Sequence, residues 1–223
     1  MFVAEFAWEI IWDHSGELGR GLLITLEVTA AGFGLAAALG LPIALMRTAR
    51  TPLLTVPAVM WLALARGIPL LIVIFLLYYS LAEQGVVTFS AFQAGFLSLG
   101  LTGSAYMAEI YRSALQAVPQ GQSEAGSAIG LTGAQGFAHV LLPQALRTAV
   151  PPSVNIFVAL LKGATLLSVI AMADMFHVAQ VVSAEQYRPF ELYTAAAVII
   201  IAVTLVASAV GSIVERRLSR GYR

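Results

Sequence analysis

The feature that most constrains this chain is a series of long apolar runs separated by short polar breaks. A run of about 20 residues, wound into a helix at about 1.5 Å per residue, spans the ~30 Å hydrocarbon core of a bilayer. Inside lipid the backbone must satisfy its own polar groups, so such runs fold as helices. Placing them at 21–46, 57–81, 88–112, 146–170 and 191–214 predicts an all-α integral membrane protein with five transmembrane helices. Composition agrees, because 59% hydrophobic and 11% charged residues lie outside the range of ordinary soluble domains. Gly32, Gly34 and Gly40 in the first run are spaced for close helix approach.

Residues 1–20 precede the first run. Phe2, Phe6, Trp8, Ile10 and Trp12 alternate there with acids, a segment too polar to span and suited to an interfacial helix. Glu5, Glu9, Asp13 and Glu17 stand where a cleavable signal would carry a basic region, so no signal peptide is expected. No repeat or soluble linker interrupts the chain. Residues 21–217 are expected to form one membrane domain and 218–223 a cytoplasmic tail. Basic residues set the orientation. With the N-terminus outside, Arg47, Arg50, Arg112, Arg147, Arg216, Arg217, Arg220 and Arg223 fall in or beside cytoplasmic segments. Glu83, Asp174, Glu185 and Glu191 then face the other side, with Arg20 and Arg188.

One stretch breaks the apolar pattern without ending it. Residues Glu109 to Arg147 contain a polar helix-turn-helix, with the loop proper at 115–143. Pro119 suits the first position of a helix, where its missing N–H costs nothing. Gly130 suits the left-handed residue that ends that helix. Thr132 with Gln135 makes a capping box for a second helix, expected to stop before Pro143. Two short helices at a membrane surface make a docking element.

Zero net charge gives no reason to expect nucleic acid, and the absence of cysteine removes disulfide and thiolate chemistry. His14, His139 and His177 have no metal-ligand spacing, and no G-x-S-x-G elbow or Walker A loop is present. No enzyme and no cofactor of the chain's own is expected, and any energy from ATP must come from another subunit.

The docking stretch resembles a known family. Glu124-Ala125-Gly126, then Gly130, then Leu142-Pro143 is similar to the EAA loop of type I (MetI-like) ABC importer permeases. Arg66-Gly67-Ile68-Pro69-Leu70-Leu71 resembles the family's RGTPLL segment, Leu160 to Leu166 its LLKDTSL, and Arg188-Pro189-Phe190-Glu191 its RPFE turn. These matches cover roughly Gly21 to Arg217 in order and point to the polar amino acid branch. The resemblance implies a permease subunit in the bacterial inner membrane. Its implied partners are two ATP-binding cassette subunits carrying ATP and Mg, a second permease subunit, identical or homologous, and an extracytoplasmic solute-binding protein. Alternating access of an amino acid or similar solute is the implied mechanism.

On that resemblance Glu124, Ala125, Gly126 and Gly130 form the ATPase-coupling surface, with Gln135 as a cap or contact. Glycine stands at 126 where the family has alanine, and Ala63 and Gly163 stand where acids are common. For the substrate pathway the candidates are Arg66, Gly67, Tyr106, Asn155, Lys162, Thr165 and Ser168. Gly67 and Pro69 mark a break, and broken membrane helices commonly line transport routes. Arg66 there either faces the route or snorkels to the interface. Lys162 lies about 22 Å along its helix from Arg147, at a depth where an ammonium needs a partner or water. Glu109 and Arg112 are spaced to pair on one helix face. An ATPase-independent secondary transporter is the rival reading, although no mid-membrane carboxylate is present to relay ions.

Overall fold

The computed structural model describes residues 6–219, which form an all-helical bundle. A short helix α1 (Trp8–Asp13) leads into α2 (Ser15–Thr48). Next come α3 (Pro52–Gly67) and α4 (Leu70–Glu83), which meet at a 100° bend. Helix α5 (Ala91–Gln116) is followed by α6 (Gln120–Ala128) and by α7 (Gly133–Ile170). Helices α8 (Met175–Gln186) and α9 (Pro189–Ser219) complete the described chain.

Among the described residues α2, α7 and α9 are long and apolar enough to cross a membrane, and the bent pair α3–α4 adds a fourth crossing if it counts as one. Helix α5 is comparably long, about 39 Å for its 26 residues. It is less apolar because its Gly95, Ser98, Gly100, Gly103 and Ser104 are buried against protein rather than lipid. It packs most closely with α2. A methyl group on Gly32 would stand 2.7 Å from Leu99 Cβ, and one on Gly40 2.6 Å from Met107 Cβ, so glycine permits the contact. Gly34 faces open space and takes no part in it. The core beside this contact holds Val28, Leu99, Leu160 and Leu167.

The break expected at Gly67–Pro69 divides the run 57–81: α3 ends at Gly67, and α4 restarts after Ile68 and Pro69. Proline donates no N–H, and the residue before it is pushed to extended backbone, as Ile68 is at φ −86° and ψ 124°. Pro119 is the N-cap rather than the first helical residue, since α6 begins at Gln120. Pro143 does not stop the second docking helix. The Leu142 N–H bonds the Phe137 carbonyl in a π turn over Phe137–Leu141, shifting the ladder one residue just before the proline, and α7 runs on to Ile170. Helix α8 was not foreseen in the sequence, although Asp174 caps it by accepting from the Phe176 and His177 N–H groups at 3.1 and 3.3 Å.

The interfacial segment is seen from Phe6 onward, with Trp8 and Trp12 exposed at 65% and 76%; Phe2 and Glu5 lie outside the described residues, as do Arg220 and Arg223. In the Arg188–Glu191 turn, Pro189 opens α9 and Arg188 Nη1 donates to Glu191 Oε1 at 3.1 Å.

Candidate functional site

The docking element is a hairpin of α6 and the start of α7. Gly130, at φ +85°, ends α6 in a Schellman arrangement, with Leu131 N–H bonding the Gly126 carbonyl at 3.1 Å and Gly130 N–H the Ser127 carbonyl at 3.0 Å. Thr132 and Gln135 form the capping box: Gln135 N–H donates to Thr132 Oγ1 at 3.4 Å and Gln135 Oε1 accepts from Thr132 N–H at 2.9 Å. Gln135 is therefore engaged within the hairpin. Gln144 Nε2 donates to Gln122 Oε1 at 3.2 Å and fastens the two legs together.

Glu124 and Ala125 are exposed on α6, whereas Gly126 is buried and turned toward Leu131 and Val140 of the other leg. Gly126 thus belongs to the inside of the hairpin, not to its presented surface. Beside the glycine turn stands Ile129, 78% exposed. Spacing alone makes Ile129 the last apolar residue of a helix, and only the structure shows it exposed at the hairpin tip. His139 places Nδ1 3.0 Å from the Gln135 carbonyl and stays on the hairpin surface.

Inward from the hairpin, Glu109 of α5 is shared by three arginines. Arg47 Nη1 of α2 donates to Oε2 at 2.5 Å, Arg112 Nε donates to Oε1 at 2.9 Å, and Arg66 Nη2 of α3 stands 3.8 Å from Oε2. Arg66 also donates to the Ala105 carbonyl at 2.8 Å and lies over the Tyr106 ring at 5.2 Å from its centroid. Arg66 thus ties the end of α3 to α5 immediately before the Gly67–Pro69 break. Arg47, 62 residues from Glu109, gave no sign of this role in the sequence.

Arg66, Tyr106 and Glu109 border a cavity of about 640 Å³, closed on the α7 side by Thr148, Pro152 and Ile156. Along α7, Asn155, Ala159, Lys162 and Leu166 are all exposed at i, i+4, i+7 and i+11, one continuous stripe. Among the described residues neither the Asn155 amide nor the Lys162 ammonium has a hydrogen bond or ion pair. Thr165 continues the stripe, its hydroxyl donating to the Lys162 carbonyl at 2.7 Å. Ser168 does not: it is 7% exposed and donates to the Thr165 carbonyl at 3.0 Å. From Thr165 the chain winds as a 3₁₀ helix, and the Ser168 side chain within it is buried against protein. Gly67 is exposed at the end of α3 with open space beside it.

A hairpin docked outside an all-helical membrane bundle with one interrupted helix defines a class, the membrane subunit of a transporter. Residues 30–220 match the family of the binding-protein-dependent transport system inner membrane component, and the chain belongs to that family. It is 36% identical over 200 residues to a probable amino-acid ABC transporter permease of Sinorhizobium fredii, covering 90% of this chain and 86% of that protein. It is also 36% identical to the arginine ABC transporter permease ArtQ of Haemophilus influenzae, over 75% of this chain and 78% of that one. The crystal structure of an amino acid ABC transporter with histidines superposes with a TM-score of 0.87 at 34% identity, covering 97% of this chain and all of that one. The protein is accordingly a multi-pass permease subunit of an ABC importer.

Proposed function

We propose that this permease passes an amino acid or amino-acid-like solute whose recognised group is a carboxylate, driven by ATP hydrolysis on two separate cassette subunits. An extracytoplasmic binding protein delivers the solute, a second permease subunit completes the route, and the N-terminus is outside with the C-terminus in the cytoplasm. No catalytic step falls to this chain. The hairpin presents Glu124, Ala125 and Ile129 to the cassette subunit.

The observation that carries the substrate reading is the state of the charges along the membrane helices. Among the described residues Lys162 stands unpaired on the exposed stripe of α7, while Glu109 beside the cavity is already held by three arginines. Glu27 is exposed on the face of α2 turned away from α5. A cationic side chain entering this route therefore meets no free carboxylate among the described residues, and an unpaired charge in such a setting costs several kcal/mol. A carboxylate meets Lys162, with Asn155 two turns away as a hydrogen-bond donor or acceptor. Ala63 and Gly163, at positions where acids are common in the family, leave the route without acids there. The arginine permease of Haemophilus is the natural contrast.

The test is uptake by the reconstituted complex with its cognate binding protein, comparing glutamine, glutamate, histidine, lysine and arginine. Glutamine or glutamate is expected to lead, and Lys162→Met to depress uptake with expression and cassette binding intact. Preferred transport of lysine or arginine by a homodimer of this chain overturns the substrate reading.

A further inference from the structure

A second hollow, separate from the route, lies between α2, α5, α7 and α9. Its volume is about 620 Å³, and its walls include Phe33, Ala37, Tyr111, Val150, Phe157 and Ala207. One end is closed by the edge-to-face pair of Phe33 and Phe157, their ring centroids 5.6 Å apart. The other end opens at Leu146 and Val214. From Phe157 to Leu146 the α7 wall is eleven residues, about 16 Å long. That is about half of the ~30 Å hydrocarbon core, the depth of one leaflet.

The open end is basic. Helices α7 and α9 run antiparallel and meet at Gly211, where a methyl group would stand 2.5 Å from Val154 Cγ1. From that crossing Arg147 is seven residues along α7 and Arg217 six along α9, about 10 Å and 9 Å respectively, so the two arginines reach the same level. Arg217 also continues the wall stripe Val210 and Val214 at helical spacing. Both arginines are exposed, and neither has a hydrogen bond or ion pair among the described residues. Glu215, two residues before Arg217, projects from the other side of α9. Tyr111, half-buried in the wall, has no hydrogen-bond partner for its hydroxyl among the described residues.

We propose that this groove is a binding site for one anionic phospholipid, an acyl chain lying against Val150, Phe157 and Ala207 and the phosphate held by Arg147 and Arg217. An apolar slot one leaflet deep with two cations at its mouth fits that ligand, since basic pockets between membrane helices select anionic headgroups. The site rests on the groove and its arginines, not on the identity of the transported solute.

The measurement is native mass spectrometry of the full-length permease, in the complex with which it purifies, released from micelles holding equimolar phosphatidylglycerol and phosphatidylcholine. Each arginine is expected to favour the anionic lipid about fivefold, so roughly 25-fold for both. Arg147→Gln with Arg217→Gln should lower that preference to near unity, and Ala207→Trp, which fills the slot from its wall, should remove the retained lipid. Equal retention of the two lipids by the wild type overturns the proposal, as does an undiminished preference in the double variant. The chain has no cysteine, so Ala207→Cys is a clean probe. Oxidative cross-linking of that variant into a covalent permease dimer would place a second copy over the groove and overturn the lipid assignment equally.

Discussion

Replacing Glu109 by glutamine keeps the side chain's shape and removes the negative charge that three guanidiniums share. At an effective dielectric of about 20, a pair of unit charges at about 4 Å attracts by roughly 4 kcal/mol before solvation is considered. The four side chains keep 24–34% of their surface exposed, however, and pairs with that access to water are worth about 1 kcal/mol or less each. Arg112 is on the same helix as Glu109, so its pair survives in an isolated α5. Only Arg47 and Arg66 tie separate helices together, which puts the expected loss near 2 kcal/mol. For a chain of this size that corresponds to a fall in Tm of about 4–8 °C. The assay is thermal unfolding of the purified permease, with Glu83→Gln as an exposed control expected to stay within about 0.5 kcal/mol of wild type. Glu109→Asp keeps the charge but shortens the reach, and should melt between wild type and Glu109→Gln. Adding Arg47→Gln to Glu109→Gln should cost about 1 kcal/mol less than Arg47→Gln alone, the signature of a shared interaction. A Glu109→Gln permease that melts with the wild type, or an additive double variant, refutes the shared-charge account.

Glu124→Arg, on an exposed stretch of α6, should shift stability by no more than about 0.5 kcal/mol yet weaken recovery of the cassette subunits and transport, scored in membranes at equal permease level; wild-type transport would reduce Glu124 to an ordinary surface acid. Gly126→Ala should raise the thermal stability of the hairpin by about 1 kcal/mol, because the added methyl meets Leu131 and Val140 at ordinary contact distances of 3.6 and 3.9 Å and alanine is the better helix former. Burial pushes the Asp174 carboxyl up to about 6 from 3.8. Between those values the folded chain keeps a proton that the unfolded chain has released, so stability should fall as pH rises through the window, by about 3 kcal/mol at most, and stay flat above it. Asp174→Asn keeps a good N-cap and should flatten melting temperature against pH between about 4 and 6. Reporter fusions at Val118 and at Glu185 should read cytoplasmic and external respectively, and a cytoplasmic signal at Glu185 would overturn the proposed orientation.

What the sequence disclosed, and what it did not, follows from the range of the interactions involved. Gly130, Thr132 and Gln135 act on neighbours within a few residues, so their turn and cap could be read directly and stand in the structure as expected. The Gly67–Pro69 break was legible for the same reason. Pro143 was misread because a helix rule applied locally ignores the alternative of one longer hydrogen bond, which the π turn ending at Leu141 adopts. The helix capped by Asp174 was missed in favour of the hydropathy pattern, which registers spans and passes over twelve-residue helices. Arg47 could not have been paired with Glu109 by spacing, since only the packing of α2 on α5 brings them together. The burial of Ser168 could not be read from spacing, since it comes from other helices packed around the 3₁₀ segment Thr165–Ile170.

These corrections change how motion can pass through the molecule. Had Pro143 ended a helix, a flexible joint would separate the docking hairpin from the membrane. Instead one leg of the hairpin is the start of α7, and the same helix carries Asn155 and Lys162. The other leg joins α5 through only Ala117, Val118 and Pro119, and two turns back along α5 stands Glu109. Glu109 holds Arg66, the penultimate residue of α3 before its 100° bend. Both legs thus lead without a long linker to the residues beside the cavity, one through continuous helix and one through the shared carboxylate. The joint that remains is Ile68–Pro69, where no helical hydrogen bond crosses from α3 into α4. If the cassette subunit pushes on the hairpin as proposed, the motion concentrates where the helix is already broken, next to the exposed stripe on α7. On this architecture Glu109→Gln and a stiffening of the Gly67–Pro69 break act on the same path, and their effects on transport should be less than additive.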